Sequence, residues 1–177
     1  MAEGKKVLMV IAPDKFRDEE LFNTREELEK EGAVITVASR STGVISGMLG
    51  GSAVADKALK DINVSEYDAV VFIGGVGAQE YYQDTTALGL AKEAYQEGKI
   101  VGAICIAPGI LAKAGILAGK RATIWDDPAR SYSTILEEGG ATYTGEDLTV
   151  DGKIVTANGP AAARAFGRKL AELLGGM

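Results

Sequence analysis

The sequence predicts an α/β protein in which a mostly parallel, doubly wound sheet is covered by helices on both faces. Short apolar stretches rich in β-branched residues alternate along the 177-residue chain with longer amphipathic segments. These stretches are apolar at consecutive positions, which is typical of strands that are buried on both faces. Strands that alternate with helices at this spacing form parallel sheets through right-handed crossovers.

Three strands are predicted in the first half of the chain, each from a short apolar run: Lys5–Ala12, Ala33–Ser39 and Tyr67–Ile73. Pro13 ends the first run. Phe16–Lys30 then carries apolar residues among charges, which indicates an amphipathic helix, and Gly32 stops it. The glycine-rich stretch Arg40–Ile62 alternates only weakly. It is predicted to form a small β-hairpin followed by an irregular connection.

The second half continues the alternation. Its predicted strands are Lys99–Ile104 and Arg121–Trp125, and its predicted helices are Thr86–Glu97, Pro108–Ala114, a segment near Pro128–Glu138, and Pro160–Leu174. Leu148–Val150 and Lys153–Thr156 flank Asp151-Gly152, a dipeptide that favours a two-residue hairpin. The final helix has a proline near its first turn and is rich in alanine. No repeat or linker is visible, so residues 1–177 are expected to form a single domain.

The composition favours a globular protein of the cytoplasm. Hydrophobic residues make up 46% and charged residues 25% of the chain, and no apolar run is long enough to cross a bilayer. The net charge of −6 disfavours binding to nucleic acid or to an anionic membrane. The single cysteine cannot form an internal disulfide, so the fold does not require an oxidising compartment.

The absence of histidine restricts the chemistry further. Without histidine the chain has no Ser-His-Asp triad, no Cys-His dyad and no imidazole base, and one cysteine leaves almost no ligands for structural zinc. Neither a metal nor a cofactor is expected. Catalysis must therefore rest on cysteine, hydroxyls, carboxylates, lysine or backbone dipoles.

Three turns at the carboxyl ends of predicted strands are candidates for a site: Pro13–Glu20, Gly74–Glu80 and Cys105–Gly109. Cys105 lies between a buried strand and a helix start among small residues, as in a nucleophile elbow, where the helix dipole would lower the pKa of the thiol. The alternative is an inert, buried cysteine. Gly74-Gly75-Val76-Gly77 offers unobstructed amides for an oxyanion, or forms only a turn that needs positive φ.

These segments together resemble the ThiJ/PfpI superfamily of DJ-1-like proteins, which share the class I glutamine amidotransferase-like fold. The resemblance rests on Tyr67–Gly75, on Ala103-Ile104-Cys105, and on Leu111–Lys120 with its AGILAGK sequence, and it extends over nearly the whole chain. It implies a flavodoxin-like sandwich that assembles as a homodimer or higher oligomer. It also implies that Cys105 is the nucleophile and that the amides of Gly75 and Ile106 form an oxyanion hole, with Gly74 beside them.

The sequence departs from the superfamily pattern in three places. Ile106 stands where the peptidase members have histidine, and Trp125 stands where some members have histidine or tyrosine. An ungapped match puts Arg17 where many members have a glutamate that is hydrogen-bonded to the thiol. Asp18 and Glu20 then remain as alternative acids. The chain is most similar to an archaeal-type subset that lacks the Cys-His motif.

The sequence leaves two interpretations open for the side chains of Arg17 and Trp125. Arg17 either points inward, favouring the thiolate and holding an anionic or carbonyl substrate, or points into solvent. Trp125 either forms a wall of a pocket beside Cys105 or packs against other hydrophobic groups, and the pair Tyr81-Tyr82 is interpreted as packing.

The resemblance gives three functional hypotheses. The first is a cofactor-independent enzyme in which Cys105 attacks small reactive carbonyls, or glycated or acylated molecules including modified proteins, as a glyoxalase or deglycase does. The second is a non-catalytic stress protein with an oxidisable Cys105. The third, an intracellular peptidase, is weakened by the absence of histidine.

Overall fold

A computed structural model describes residues 2–177. The strands among them, in chain order, are β1 (Lys6–Val10), β2 (Val34–Ser39), β3 (Gly43–Ser46), β4 (Ser52–Ala55), β5 (Lys57–Ala58), β6 (Ala69–Phe72), β7 (Ile100–Ile104), β8 (Arg121–Ala122), β9 (Thr142–Tyr143), β10 (Leu148–Asp151) and β11 (Ile154–Ala157). The α-helices are α1 (Asp18–Lys30), α2 (Thr85–Gln96), α3 (Pro108–Lys113), α4 (Ser133–Glu138) and α5 (Ala163–Gly175). Four 3-10 segments connect them: Leu59–Asp61, Val64–Glu66, Val76–Gln83 and Pro160–Ala162.

Seven of these strands form the central sheet, in the spatial order β10-β11-β7-β6-β1-β2-β5. Every neighbouring pair is parallel except the terminal hairpin β10-β11. Val7 of β1 is in register with Ile35 on one side and with Ala69 on the other. The chain order reverses between β1 and β6, so the carboxyl ends of β1, β6 and β7 meet at a topological switch point, where doubly wound folds bind ligands.

Helices cover both faces of the sheet. Helices α1 and α5 pack together on one face, where Leu21, Leu28, Phe166 and Leu170 are fully buried. Helices α2, α3 and α4 cover the opposite face, whose core includes Tyr81. The predicted doubly wound α/β class is therefore confirmed, as is the β3-β4 hairpin within Arg40–Ile62.

The predicted strand Arg121–Trp125 is wrong as a member of the central sheet. Only Arg121 and Ala122 form a strand, which pairs with β9 in a separate two-stranded sheet. The place beside β7 belongs to β11. After β8 the chain does not continue as a paired strand. Isolated hydrogen bonds hold it instead: the Thr123 N–H donates to Thr156 Oγ1, and the Trp125 N–H donates to the Cys105 carbonyl.

Helix boundaries also differ from the prediction at three places. Helix α1 begins at Asp18 and not at Phe16, because Phe16 forms a bridge with Gly47 of the hairpin. Helix α4 begins at Ser133, five residues after Pro128. The segment that begins at Pro160 is a 3-10 turn before α5 starts. Within residues 2–177, no helix combines the length and the apolar character that a bilayer crossing requires.

Candidate active site

Cys105 occupies the sharp turn between β7 and α3. Its φ of 62° lies in the left-handed region, which residues other than glycine rarely adopt. The backbone is held on both sides, because its N–H donates to the Ala157 carbonyl over 2.9 Å and its carbonyl accepts from the Trp125 N–H over 2.8 Å. The partly exposed side chain lines a cavity of about 460 Å³. The turn therefore places the side chain of Cys105 at the wall of this cavity.

The backbone N–H groups of Gly75 and Ile106 lie close enough to the Cys105 sulfur to favour its negative charge. Gly75 has a φ of 110°, and a Cβ there would overlap the backbone of Arg17, so the position requires glycine. Ile106 follows Cys105 into the turn that leads to α3. Both N–H groups favour negative charge on the sulfur or on an oxygen bound beside it.

Glu20 is the acid beside the sulfur. Its side chain is fully buried in the first turn of α1, close enough to Cys105 for the carboxyl and the thiol to shift each other's pKa. Its Oε1 accepts from the Gly74 N–H over 3.1 Å, and its Oε2 has no hydrogen-bond partner among the described residues. Burial raises the pKa of Glu20 to about 8, although the thiol and the charge of Arg17 oppose the shift.

The expectation that the helix dipole lowers the pKa of Cys105 is wrong. Burial, reinforced by the negative charge of Glu20, raises the pKa of the thiol to about 12, although the amides of Gly75 and Ile106 favour the thiolate. Helix α3 has only six residues, so its dipole is weak against these effects. Cys105 and Glu20 interact closely enough to titrate as a pair. At neutral pH both hold their protons, and the first proton leaves near pH 8.

The three residues predicted from the first turn, Arg17, Asp18 and Glu20, lie in different surroundings. Arg17 is one of the residues that line the cavity, which agrees with the inward orientation, and its Nε donates to Glu19 over 2.7 Å. The ungapped match put Arg17 in the place of the acid, whereas the carboxyl that lies beside the thiol is that of Glu20. Asp18 points away from the cavity and accepts from the N–H groups of Leu49 (2.9 Å) and Gly51 (2.7 Å). Its carboxylate secures the β3-β4 hairpin.

Gly74 differs from its predicted role as an oxyanion donor. Its N–H is already donated to Glu20, and its carbonyl accepts from the Arg17 N–H over 2.9 Å. A Cβ on Gly74 would lie 2.5 Å from the Cβ of Cys105. Gly74 therefore joins the start of α1 to the turn that holds the sulfur.

Trp125 forms part of the cavity wall and remains 42% exposed. Its ring packs edge-to-face on Tyr132, with centroids 5.5 Å apart. The remaining lining residues were not predicted: Met48, Val76, Tyr132 and Pro160. Each lies in a different connecting segment, and no local motif brings these segments together. Tyr81 and Tyr82 are packing residues, as predicted, and their hydroxyls donate to the carbonyls of Ile11 and Ile106.

Metal-binding side chains do not gather in the described part of the chain. No group of three or more histidine, cysteine, aspartate or glutamate residues in it is placed to hold an ion. Cys105 and Arg17 line the cavity together with Gly75 and Ile106, and Glu20 is buried beside the sulfur, a set suited to a small carbonyl compound.

Comparison with known proteins shows similarity over nearly the full length. Residues 5–173 match the profile of the DJ-1/PfpI family. An uncharacterized protein of Methanocaldococcus jannaschii is 42% identical over 173 residues, which cover 97% of this chain and 83% of that protein. The crystal structure of a ThiJ/PfpI domain protein from Brachyspira murdochii superposes with a TM-score of 0.91 at 32% identity, covering 98% of this chain and 99% of that one.

The names of other relatives bear on the substrate. A deglycase of Pyrococcus abyssi is 33% identical over 170 residues, or 94% of this chain and 98% of that protein. A relative from Caenorhabditis elegans is named a glutathione-independent glyoxalase, and one from Escherichia coli is named protein/nucleic acid deglycase 2. The expectation that nucleic acid is excluded, which rested on net charge, is therefore not supported.

Proposed function

Because this chain belongs to the DJ-1/PfpI family, we propose that it is an enzyme that uses Cys105 to convert reactive α-oxoaldehydes and their adducts into hydroxy acids. The observation that carries the proposal is the convergence on one sulfur of two backbone amides and one buried acid. The names of the deglycase and glyoxalase relatives agree with it. The reaction requires no cofactor, because the oxidation of one carbon is balanced by the reduction of its neighbour.

The first step is addition of the sulfur to the aldehyde carbon. Once the pair has lost its first proton, the carboxylate of Glu20 accepts the proton of the thiol while a carbon–sulfur bond forms. The carbonyl oxygen becomes an oxyanion, which the N–H groups of Gly75 and Ile106 stabilise, and Glu20 then protonates it. The product is a hemithioacetal on Cys105.

The second step is an internal oxidation and reduction. The hydrogen of the former aldehyde carbon leaves as a proton to Glu20, which passes it to the ketone oxygen while the electron pair forms an enediol. The hydroxyl of the first carbon then loses its proton, which Glu20 delivers to the neighbouring carbon. The first carbon is thereby oxidised to a thioester and the second is reduced to an alcohol. Water then cleaves the thioester, which releases the hydroxy acid and restores the thiol. An amine-bound adduct first expels its amine, which takes up the proton of the hydroxyl on the same carbon, and the aldehyde that results follows the same route.

The test is the consumption of methylglyoxal with the appearance of lactate. The wild-type chain is expected to form lactate, and Cys105→Ala is expected to reduce its formation to the uncatalysed rate, because no other thiol exists in the chain. Cys105→Ser keeps the size of the side chain and is expected to behave in the same way. If Cys105→Ala formed lactate as fast as the wild type, this proposal would be wrong.

The alternative of an oxidisable cysteine without turnover has no separate structural support. The same amides and the same acid would hold an oxidised sulfur, so the geometry serves both cases. The two are separated by the lactate assay together with intact mass after mild peroxide treatment. Gain of oxygen on Cys105 with no lactate formation would favour the redox role.

A further inference from the structure

The cavity in front of Cys105 combines apolar walls with one cation. Among the described residues that line it, Arg17 carries the only charged side chain. Aromatic or aliphatic surface is contributed by Met48, Val76, Trp125 and Tyr132. Such a lining does not distinguish one small neutral carbonyl compound from another, whereas a guanidinium group discriminates strongly between neutral and anionic molecules.

Only part of the guanidinium group of Arg17 is hydrogen-bonded. Its Nε is engaged by Glu19, and within residues 2–177 neither of its two Nη atoms has a hydrogen-bond partner. The side chain is 29% exposed, so it is neither free in solvent nor sequestered. The ion pair with Glu19 holds one edge of the guanidinium group, which leaves a pair of N–H donors in the geometry that binds a carboxylate through both oxygens.

The cavity is also larger than the simplest substrate requires. Its volume of about 460 Å³ falls in the range of small-molecule sites, roughly 300–1,000 Å³. Methylglyoxal would leave most of it empty. A longer α-oxoaldehyde can place its aldehyde at Cys105 and a second functional group elsewhere on the lining.

We propose that Arg17 makes this site selective for α-oxoaldehydes that carry a carboxylate, which its Nη atoms bind while the aldehyde carbon lies at Cys105. This inference rests on the proposed function and adds the substrate class to it. The carboxylate end supplies binding energy that positions the aldehyde, so the effect appears in kcat/KM.

The kinetic test compares two substrates of equal shape. 4,5-Dioxopentanoate carries a carboxylate, and 5-methyl-2-oxohexanal replaces it with an isopropyl group. The wild type is expected to prefer the anion in kcat/KM by roughly 10- to 100-fold, as for a charge-assisted pair of hydrogen bonds. Arg17→Gln is expected to bring the ratio close to one, and Arg17→Lys to restore part of it. Arg25→Gln, an exposed arginine elsewhere on α1, is the matched control and should keep the wild-type ratio.

A binding test separates failure of this inference from failure of the proposed function. Trp125 is the only tryptophan of the chain, so its fluorescence reports on this cavity alone. Unreactive 4-oxopentanoate is expected to change it at lower concentration than 5-methyl-2-hexanone, and Arg17→Gln should remove the difference. Equal affinities in the wild type, or a preference that survives Arg17→Gln, would overturn the assignment. If binding depended on Arg17 but no turnover depended on Cys105, only the proposed reaction would be overturned.

Discussion

Replacement of Glu20 by glutamine is expected to reduce the Cys105-dependent turnover by about 100- to 10,000-fold, the contribution typical of a positioned acid–base group. Glutamine keeps the shape of the side chain and can still accept from the Gly74 N–H, but it cannot take the proton of the thiol. The chain has no histidine that could replace this function. The measurement is kcat for the conversion of methylglyoxal into lactate.

The stability of the Glu20→Gln variant separates catalysis from folding. The folded chain holds Glu20 protonated up to about pH 8, whereas the unfolded chain releases that proton near the ordinary value of 4.5. The carboxyl therefore costs stability as the pH rises between these values, and glutamine removes this cost. Urea unfolding at pH 8 should show no loss of stability. Glu29→Gln, on the exposed face of α1, is the control for turnover, and equal activities of the two variants would contradict the assignment.

The second large effect is expected from Gly74→Ala. The added Cβ would lie 2.5 Å from the Cβ of Cys105, 2.6 Å from Oε1 of Glu20 and 2.7 Å from the Ile104 carbonyl oxygen. The Cβ of Cys105 and the carbonyl oxygen of Ile104 cannot move without the backbone, so the turn itself must shift. Overpacking of this kind costs about 1–3 kcal/mol. The free energy of unfolding should fall by that amount, and turnover should be lost, because both reacting side chains are displaced.

A matched substitution exists in α2. Gly89 lies in the middle of that helix, and a Cβ there would meet no heavy atom within 4 Å. Gly89→Ala is therefore expected to stabilise the chain by about 0.5–1 kcal/mol and to leave turnover intact. Urea unfolding followed by circular dichroism measures both variants. Native stability and activity in Gly74→Ala would show that the close packing of this turn is not required.

The fold was predictable because its main signals are local. Apolar runs such as Tyr67–Ile73 and the dipeptide Asp151-Gly152 determine strands and a hairpin without reference to distant residues. The error at Arg121–Trp125 has the opposite origin. Whether β8 or β11 lies beside β7 depends on pairing between residues far apart in the chain, and both segments are short and β-prone.

The site was only partly predictable for a related reason. The position of Cys105 and the amide of Gly75 follow from the ends of two strands, which the sequence locates well. The choice between Arg17 and Glu20 depends on the residue at which α1 begins, since each residue of shift rotates a side chain by about 100°. The pKa of the thiol depends on burial and on its neighbour Glu20, neither of which a sequence pattern contains.

The pH dependence of kcat/KM tests most directly whether the carboxyl of Glu20 takes the proton of the Cys105 thiol during the reaction. If the first proton of the pair must leave before attack, kcat/KM rises tenfold per pH unit below about pH 8 and levels off above it, following the pKa of Glu20. Glu20→Gln should abolish this inflection. A profile that is flat across neutral pH, or an inflection near pH 8 that survives in Glu20→Gln, would show that Cys105 reacts without the carboxyl.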